Sequence, residues 1–174
     1  IEDKHLVDYR VDFDNINNNL VMAGLYGDKY KSRADGYFIL QGGSFRFTPF
    51  GDELYRSLEL NNKRKVNSLE DFVIADLVIR ADGGLILITE MQREFSRKAS
   101  SGESRRQSFD IRAYTDYYNE DLVVFSIHPD GKKHWSKILR KKQFSQDDGG
   151  YFSSFFIIKS PTELRLIFND EIKQ

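Results

Sequence analysis

The hydrophobic pattern of this chain is that of β-strands, and its clearest instance covers residues 72–92. Two runs of mainly aliphatic and β-branched side chains, residues 72–80 and 85–92, flank the short sequence Ala-Asp-Gly-Gly. Glycine adopts the positive φ that a tight turn needs without steric cost, so the segment predicts a β-hairpin. Both runs are nearly apolar throughout instead of alternating, which predicts that both faces of the hairpin are covered.

The same signals predict strands on either side of this hairpin. Residues 7–13 alternate between apolar and polar positions, which places Val7, Tyr9, Val11 and Phe13 on one predicted face. The other predicted strands are residues 20–26, 36–41, 44–48, 121–128, 133–139, 153–158 and 164–168. Residues 52–60 fit either a helical turn or a strand, and the pattern does not separate the two.

Three of the predicted hairpins align through the leucines that open their second strands, Leu20, Leu85 and Leu164. These leucines are 65 and 79 residues apart, and a polar insertion at residues 94–117, predicted to be an exposed loop, accounts for the longer interval. Each of the first two hairpins is followed by a second one. Two hairpins per unit make a four-stranded antiparallel sheet, which is the repeat of a β-propeller blade.

The sequence therefore predicts an all-β, β-propeller-like fold in one domain. Its expected units are two four-stranded blades, approximately residues 7–60 and 66–142, and the first hairpin of a third blade at 151–174. Two blades and a hairpin do not close a ring of about four to eight blades. Because open strand edges aggregate, we expect another chain, or a further part of the same protein, to cover the C-terminal hairpin. Its predicted apolar face comprises Phe156, Ile158, Leu166 and Phe168.

A family resemblance points in the same direction. The segments DGGLILITE, NEDLVVFSIHPDGKKHWSKILRKKQFSQDDGGYFSSF and LRLIFNDE resemble repeat units of β-propeller-like proteins exported by Bacteroidota, and LVMAGLYGDKYKSRADGYFIL is similar to the stretch that precedes them. The resemblance implies a component of the cell envelope, periplasmic or extracellular, that works within an outer-membrane complex. It implies no set of catalytic residues.

Composition limits the classes of partner. The chain has 26 basic and 27 acidic residues, a net charge of −1, so no overall field draws it to nucleic acid. Its uninterrupted apolar runs reach only about four residues, which predicts no transmembrane segment. There is no cysteine, which excludes disulfides and thiolate metal sites. The chain begins at Ile1 without a hydrophobic leader, and we expect either a removed signal peptide or a longer parent protein.

One group of residues points to an enzyme instead. Asp76, Glu90 and Gln92 lie on two successive predicted strands, and this arrangement is similar to the metal-binding core of PD-(D/E)xK-type nucleases. In such a core the carboxylates hold Mg²⁺, and a water bound to the metal attacks phosphate. Here Gln92 stands where those enzymes have lysine. The alternative interpretation places Glu90 and Gln92 at a strand end in solvent, and predicts that no divalent metal binds at these residues.

We therefore predict a non-enzymatic binding or assembly module that acts through protein–protein contacts, with no catalytic, cofactor-binding or metal-binding residues. The nuclease is the first alternative. A propeller that binds glycans in nutrient uptake is the second, and exposed tyrosine or tryptophan side chains around a groove would support it. His128 and His134 flank one predicted turn and are able to face each other, but a third metal ligand is not evident.

Overall fold

A computed structural model of the chain describes residues 4–27, 32–59, 65–98, 113–160 and 162–169. Within these ranges the chain is mainly antiparallel β-sheet with one short α-helix, so the predicted all-β character is confirmed. In chain order the elements are β1 (His5–Asp14), β2 (Asn19–Gly27), β3 (Arg33–Ala34), β4 (Gly36–Gln41), β5 (Ser44–Pro49), α1 (Asp52–Glu59), β6 (Leu69–Glu70), β7 (Phe72–Ile79), β8 (Leu85–Lys98), β9 (Ala113–Ile127), β10 (Lys133–Leu139), β11 (Gln143–Gln146), a 3₁₀ turn (Tyr151–Ser153), β12 (Phe156–Lys159) and β13 (Leu164–Ile167).

The chain divides into two compact units. The first unit comprises Ile1–Met91 and Asp121–Arg140, and the second comprises Gln92–Glu120 and Lys141–Gln174. Strands β8 and β9 contribute residues to both. No helix in the described residues is long and apolar enough to span a membrane.

Two sheets contain the hairpins that the sequence predicts before residue 140, and one sheet has four strands while the other has five. One sheet has the antiparallel order β1-β2-β4-β5, and the other contains the order β10-β9-β8-β7. The predicted hairpins at residues 72–92 and 121–139 are therefore confirmed, both in one sheet. In the first of them Gly83 has a φ of 82°, and the Arg80 N–H donates to the Gly84 carbonyl at 2.8 Å. No sheet closes into a ring within the described ranges.

The sequence left residues 52–60 open between a helix and a strand, and the structure shows a helix over Asp52–Glu59, while residue 60 lies outside the described residues. Leu54 and Leu58 lie one helical turn apart in α1, and both are buried in the core. Asp52 and Glu53 occupy the first turn, where negative charge stabilises a helix. The remaining buried core residues come mainly from β2, β4, β7, β8 and β9.

Some details of the sequence prediction are wrong. Residues 94–98 and 113–117, expected in a loop, continue β8 and begin β9, while residues 99–112 lie outside the described residues. A β-bulge between Leu6 and Asp8 breaks the alternation of β1, so Val7 packs against the core while Tyr9, Val11 and Phe13 are about half exposed. The apolar face predicted for the C-terminal hairpin is another.

The C-terminal hairpin forms a two-stranded sheet of its own, β12–β13. Its register pairs Phe156 with Ile167 and Ile157 with Leu166. Leu166 therefore lies on the opposite face from Phe156 and Ile158, and Ile167 takes its place in the exposed apolar face. That another chain covers this face stays a prediction.

Candidate functional site

The predicted carboxylate pair lies on one face of the β7–β8 hairpin. Asp76 pairs with Ile88, and Glu90 follows Ile88 by two positions on β8. Since paired residues and alternate residues share a face, both carboxylates project from the face opposite to Leu87 and the core. Gln92 is two residues further along β8, exposed, and belongs to the second unit.

Glu90 is not at a solvated strand end, so that part of the sequence interpretation is wrong. Its side chain is only 1% exposed, and the isoleucines of the same face, Ile86 and Ile88, are buried as well. Asp76 is half-buried, and its carboxylate accepts a hydrogen bond from the Leu77 N–H at 2.9 Å. The face thus carries one carboxyl group among apolar side chains and a second, more accessible one on the adjacent strand.

A β-bulge between Ile74 and Asp76 sets the direction of the Asp76 side chain. Strand β1 holds the backbone at this bulge through two of its side chains. The Ile74 N–H donates to the Asp8 carboxylate at 2.7 Å, and the Ile74 carbonyl accepts from Arg10 at 3.4 Å. Ile74 is buried and lies on β7, the edge strand of its sheet. Its N–H and its carbonyl are therefore hydrogen-bonded to side chains of β1 instead of to a further strand.

The described residues contain no group of three or more histidine, cysteine, aspartate or glutamate side chains placed to hold a metal ion. His128 and His134 do face each other as the sequence allows, with ring centroids 4.4 Å apart and planes tilted by 32°. Both rings are exposed.

The second unit has a feature that the sequence analysis missed, a row of three aromatic rings across neighbouring strands. Phe95 of β8, Tyr118 of β9 and Phe144 of β11 form this aromatic row. The centroids of Phe95 and Tyr118 are 5.8 Å apart, and those of Tyr118 and Phe144 are 5.1 Å apart. Phe144 pairs directly with Tyr118 in the β11–β9 ladder. Phe95 and Phe144 are 51% and 50% exposed, so the row is a surface feature.

Two arginine–carboxylate pairs border the aromatic row on the same face. Arg93 pairs with Glu120 on one side, and Arg97 pairs with Asp116 on the other. Asp116 is buried, and it also accepts a 2.8 Å hydrogen bond from the Gln146 amide. The hydrogen bond from Arg97 holds the pKa of Asp116 below its ordinary value, and the same bond raises the pKa of Arg97. The row is therefore an apolar centre with a charged border.

The opposite face of these strands carries a buried polar network centred on Lys141. The Lys141 side chain is 4% exposed, and its ammonium donates to the carbonyls of Asn119 and Ser153 at 3.1 and 3.2 Å and to the Gln143 amide oxygen at 2.7 Å. The Asn119 amide in turn donates to the Ser153 hydroxyl at 3.1 Å. This network fixes β9, β11 and the 3₁₀ turn to one another, which makes the base of the aromatic row rigid.

The turn after β11, residues 147–153, presents two more aromatic rings and is called here the aromatic tip. Tyr151 and Phe152 are 85% and 79% exposed. The turn is nevertheless tightly bonded, since the Asp148 carboxylate accepts from the N–H groups of Gly150 and Phe152, each at 2.9 Å. The Asp147 carboxylate accepts from the Thr115 N–H at 2.7 Å.

The first unit has a cleft of about 420 Å³ between α1 and β10, called here the α1–β10 cleft. Leu54 and Ile138 supply apolar lining, and Lys137 lies exposed at its border. The Arg140 guanidinium is fixed there, because it donates to the Asp121 carboxylate and to the Ser57 carbonyl.

Comparison with known proteins assigns no family and no function to this chain. No family model, no curated protein and no solved structure matches the chain.

Proposed function

We propose that this protein is a non-enzymatic binding module whose docking face for another protein is the aromatic row. The observation that carries the proposal is the exposure of Phe95 and Phe144, each about half exposed at the two ends of a continuous row of rings. Large aromatic side chains left at the surface of a rigid sheet are costly in water unless something covers them.

The composition of this face is that of a protein interface. Aromatic residues and arginine dominate the energetic centres of such interfaces, and a polar border excludes water from them. Here three rings form the centre, and the ion pairs of Arg93 and Arg97 form the border. Arg97 is 63% exposed, so its charge is accessible to a partner despite its pairing with Asp116. The partner is therefore a protein that presents apolar side chains flanked by carboxylates.

The setting of this binding module is part of the same proposal. We place the protein among propeller-like proteins of the cell envelope, in the periplasm or outside the cell. This part of the proposal rests on the sequence resemblance and on the repeat of hairpins in the sequence.

Capture and reconstitution test the docking face. The wild-type chain is compared with a row variant, Phe95→Ser/Phe144→Ser, and with a matched control, Phe13→Ser, which removes a ring of β1 that is 45% exposed and lies outside the row. A protein captured by the wild type and the control is purified, and its binding is measured by surface plasmon resonance. Loss of two central rings is expected to weaken binding by roughly tenfold or more. Equal affinity of the row variant and the wild type would contradict the proposal, and so would binding of single-stranded nucleic acid in place of protein.

One observation favours a second candidate function, metal-dependent hydrolysis of phosphodiesters. Glu90 is 1% exposed on the face that also carries Asp76. Carboxylates are rarely buried in the middle of a sheet, because desolvating the charge costs several kcal/mol, and such groups concentrate at functional sites. Two carboxylates on adjacent strands are also a donor set that suits Mg²⁺.

A cleavage assay separates the two candidates. Single- and double-stranded DNA are incubated with the wild-type chain and Mg²⁺ or Mn²⁺, and with the variants Glu90→Gln and Asp76→Asn. Glu53→Gln is the control, because Glu53 is an exposed carboxylate on α1. The hydrolytic candidate predicts cleavage that both site variants abolish and the control keeps. Absence of cleavage with the wild type, or equal cleavage by Glu90→Gln, rules it out.

A further inference from the structure

His128 and His134 form a pair of imidazole rings at the end of the β9–β10 hairpin. Their ring centroids are 4.4 Å apart, and both side chains are exposed. Within the described residues neither ring makes a hydrogen bond or an ion pair, so the fold leaves the ring nitrogens available to a ligand. Because the neutral imidazole is the commonest metal ligand among side chains, the pair has the chemistry of a metal chelate.

The backbone fixes the positions of the two histidines. The His128 N–H donates to the Lys132 carbonyl at 2.9 Å, which closes the turn between them. A β-bulge between Lys133 and Trp135 contains His134, and at this bulge the His134 ring lies against that of His128. A pair of ligands held on a fixed turn loses little conformational entropy when it binds an ion.

The separation of the rings suits two bonds to one metal ion. Bonds of about 2.0–2.1 Å place two coordinating nitrogens about 3–4 Å apart, which is close to the 4.4 Å between the ring centroids. The ring planes are tilted by 32°, and rotation about χ2 turns one nitrogen of each ring toward a common point. This rotation costs little, because the χ2 torsion of histidine is broad and both side chains are exposed.

Two protein ligands leave the remaining coordination positions to water. The Asp130 carboxylate lies in the same turn, but it accepts from the Lys132 N–H and pairs with the Lys132 ammonium, each at 3.0 Å. We therefore do not count Asp130 as a ligand, and the described residues hold no group of three or more potential ligands. Water also completes the coordination in metal sites that keep an open position. The lack of a third protein ligand thus weakens binding without preventing it.

We propose that His128 and His134 together bind one divalent transition-metal ion. Imidazole suits Cu²⁺, Ni²⁺ and Zn²⁺, whereas Mg²⁺ and Ca²⁺ take oxygen ligands. The general order of affinity among divalent ions places Cu²⁺ above Ni²⁺ and Zn²⁺, so Cu²⁺ is the ion that this pair binds most tightly. The site uses no residue of the aromatic row, and it goes beyond the binding function proposed above without depending on it.

Titration of the whole chain, without an affinity tag, with copper sulfate tests the site. Trp135 is the only tryptophan of the chain, and its ring centroid is 6.5 Å from that of His134, so a bound Cu²⁺ is expected to quench its fluorescence. The site variants are His128→Gln and His134→Gln. The matched control is His5→Gln, which removes the remaining histidine, on β1. Circular dichroism without metal checks that all the variants fold like the wild type.

The wild type and the His5→Gln control are expected to bind one Cu²⁺ per chain, with saturable quenching that a chelator reverses. Each site variant retains one ligand and is expected to bind at least about tenfold more weakly. With Zn²⁺, the ring-proton NMR signals of His128 and His134 are expected to shift and those of His5 to stay in place. Site variants that titrate like the wild type, shifts confined to His5, or a wild type that does not saturate below about 1 mM Cu²⁺ would each overturn the proposal.

Discussion

The backbone N–H of Ile74 donates a 2.7 Å hydrogen bond to the carboxylate of Asp8, a residue 66 positions earlier in the chain. Ile74 lies on β7, the last strand in its sheet order, where an N–H pointing outward has no ladder partner. The Asp8 side chain of β1 therefore supplies the hydrogen-bond acceptor that a further strand would supply, at the bulge that precedes Asp76.

Replacing Asp8 is expected to destabilise the first unit. In Asp8→Ala the amide of Ile74, a residue only 4% exposed, loses its acceptor, which lowers the free energy of unfolding by about 1–3 kcal/mol. Asp8→Asn retains an acceptor oxygen and is expected to recover most of the loss. Asp12→Ala is the control, because its carboxylate is exposed and accepts only from the neighbouring Phe13 N–H in the described contacts. Urea denaturation measures the free energy of unfolding of all three variants. Equal stability of Asp8→Ala and Asp12→Ala would show that the hydrogen bond between Ile74 and Asp8 does not stabilise the protein.

The Lys141 network predicts that substitutions of two adjacent lysines differ in their effect on the free energy of unfolding. Lys141→Met keeps the shape of the side chain but leaves three buried oxygen acceptors without their donor, so a loss of about 3 kcal/mol or more in unfolding free energy is expected. Lys142→Met changes an exposed side chain and is expected to change stability by no more than about 0.5 kcal/mol. Chemical denaturation monitored by fluorescence distinguishes the two. A Lys141→Met variant as stable as Lys142→Met would contradict the account of this network.

Strand packing predicts that alanine substitutions of two glycines also differ in their effect on stability. A Cβ atom on Gly24 would lie 2.3 Å from the Asp8 carbonyl oxygen and 2.8 Å from the Tyr9 Cα, and backbone atoms in a paired strand do not move aside cheaply. Gly24→Ala is expected to lower stability by about 1–3 kcal/mol or more. Gly51→Ala has no atom within 4 Å of its new methyl group and is the control. Thermal unfolding measures both, and an unchanged midpoint for Gly24→Ala would contradict the register of β1 against β2.

Asp14 gives a prediction of pH dependence. The hydrogen bond from the Asn17 side chain holds the pKa of Asp14 below its ordinary value of 3.8. A carboxyl group whose pKa is lower in the folded state contributes stability that is fully present above that ordinary value. The contribution is lost as the pH falls through the lower, folded pKa.

Asn17→Ala removes this donor, so it is expected to raise the pKa of Asp14 and to reduce the loss of stability in acid. Carbon-detected NMR titration of the Asp14 carboxyl group measures the pKa directly. An identical titration in the wild type and the variant would contradict the stated cause.

Local turn chemistry explains why much of the first unit could be predicted from the sequence. Gly83 and Gly131 adopt φ values of 82° and 78°, so the two hairpins at residues 72–92 and 121–139 follow from glycine positions and apolar runs. Leu54 and Leu58 were ambiguous because two leucines four positions apart share a face in a helix and in a strand alike. The packed core resolves that ambiguity, which a local pattern cannot do.

The aromatic row could not be predicted, because it depends on pairings between strands that are distant in sequence. Phe95 and Tyr118 meet only through the contact of β8 with β9, and Phe144 joins them only through the register of β11 on β9. A one-residue shift in that register would turn Phe144 to the opposite face. Glu90 was misjudged for a related reason, since the extension of β8 to Lys98 places it well inside a strand that was expected to end near residue 92.

Amide hydrogen exchange on the complex with a reconstituted partner tests the proposed docking face most directly. Binding through the aromatic row is expected to slow exchange on β8 around Phe95, on β9 around Tyr118 and on β11 around Phe144. The Phe95→Ser/Phe144→Ser variant is expected to show no such protection at the same partner concentration. Protection confined to other surfaces, with exchange on these three segments unchanged, would contradict the claim that the row is the site at which this protein binds its partner.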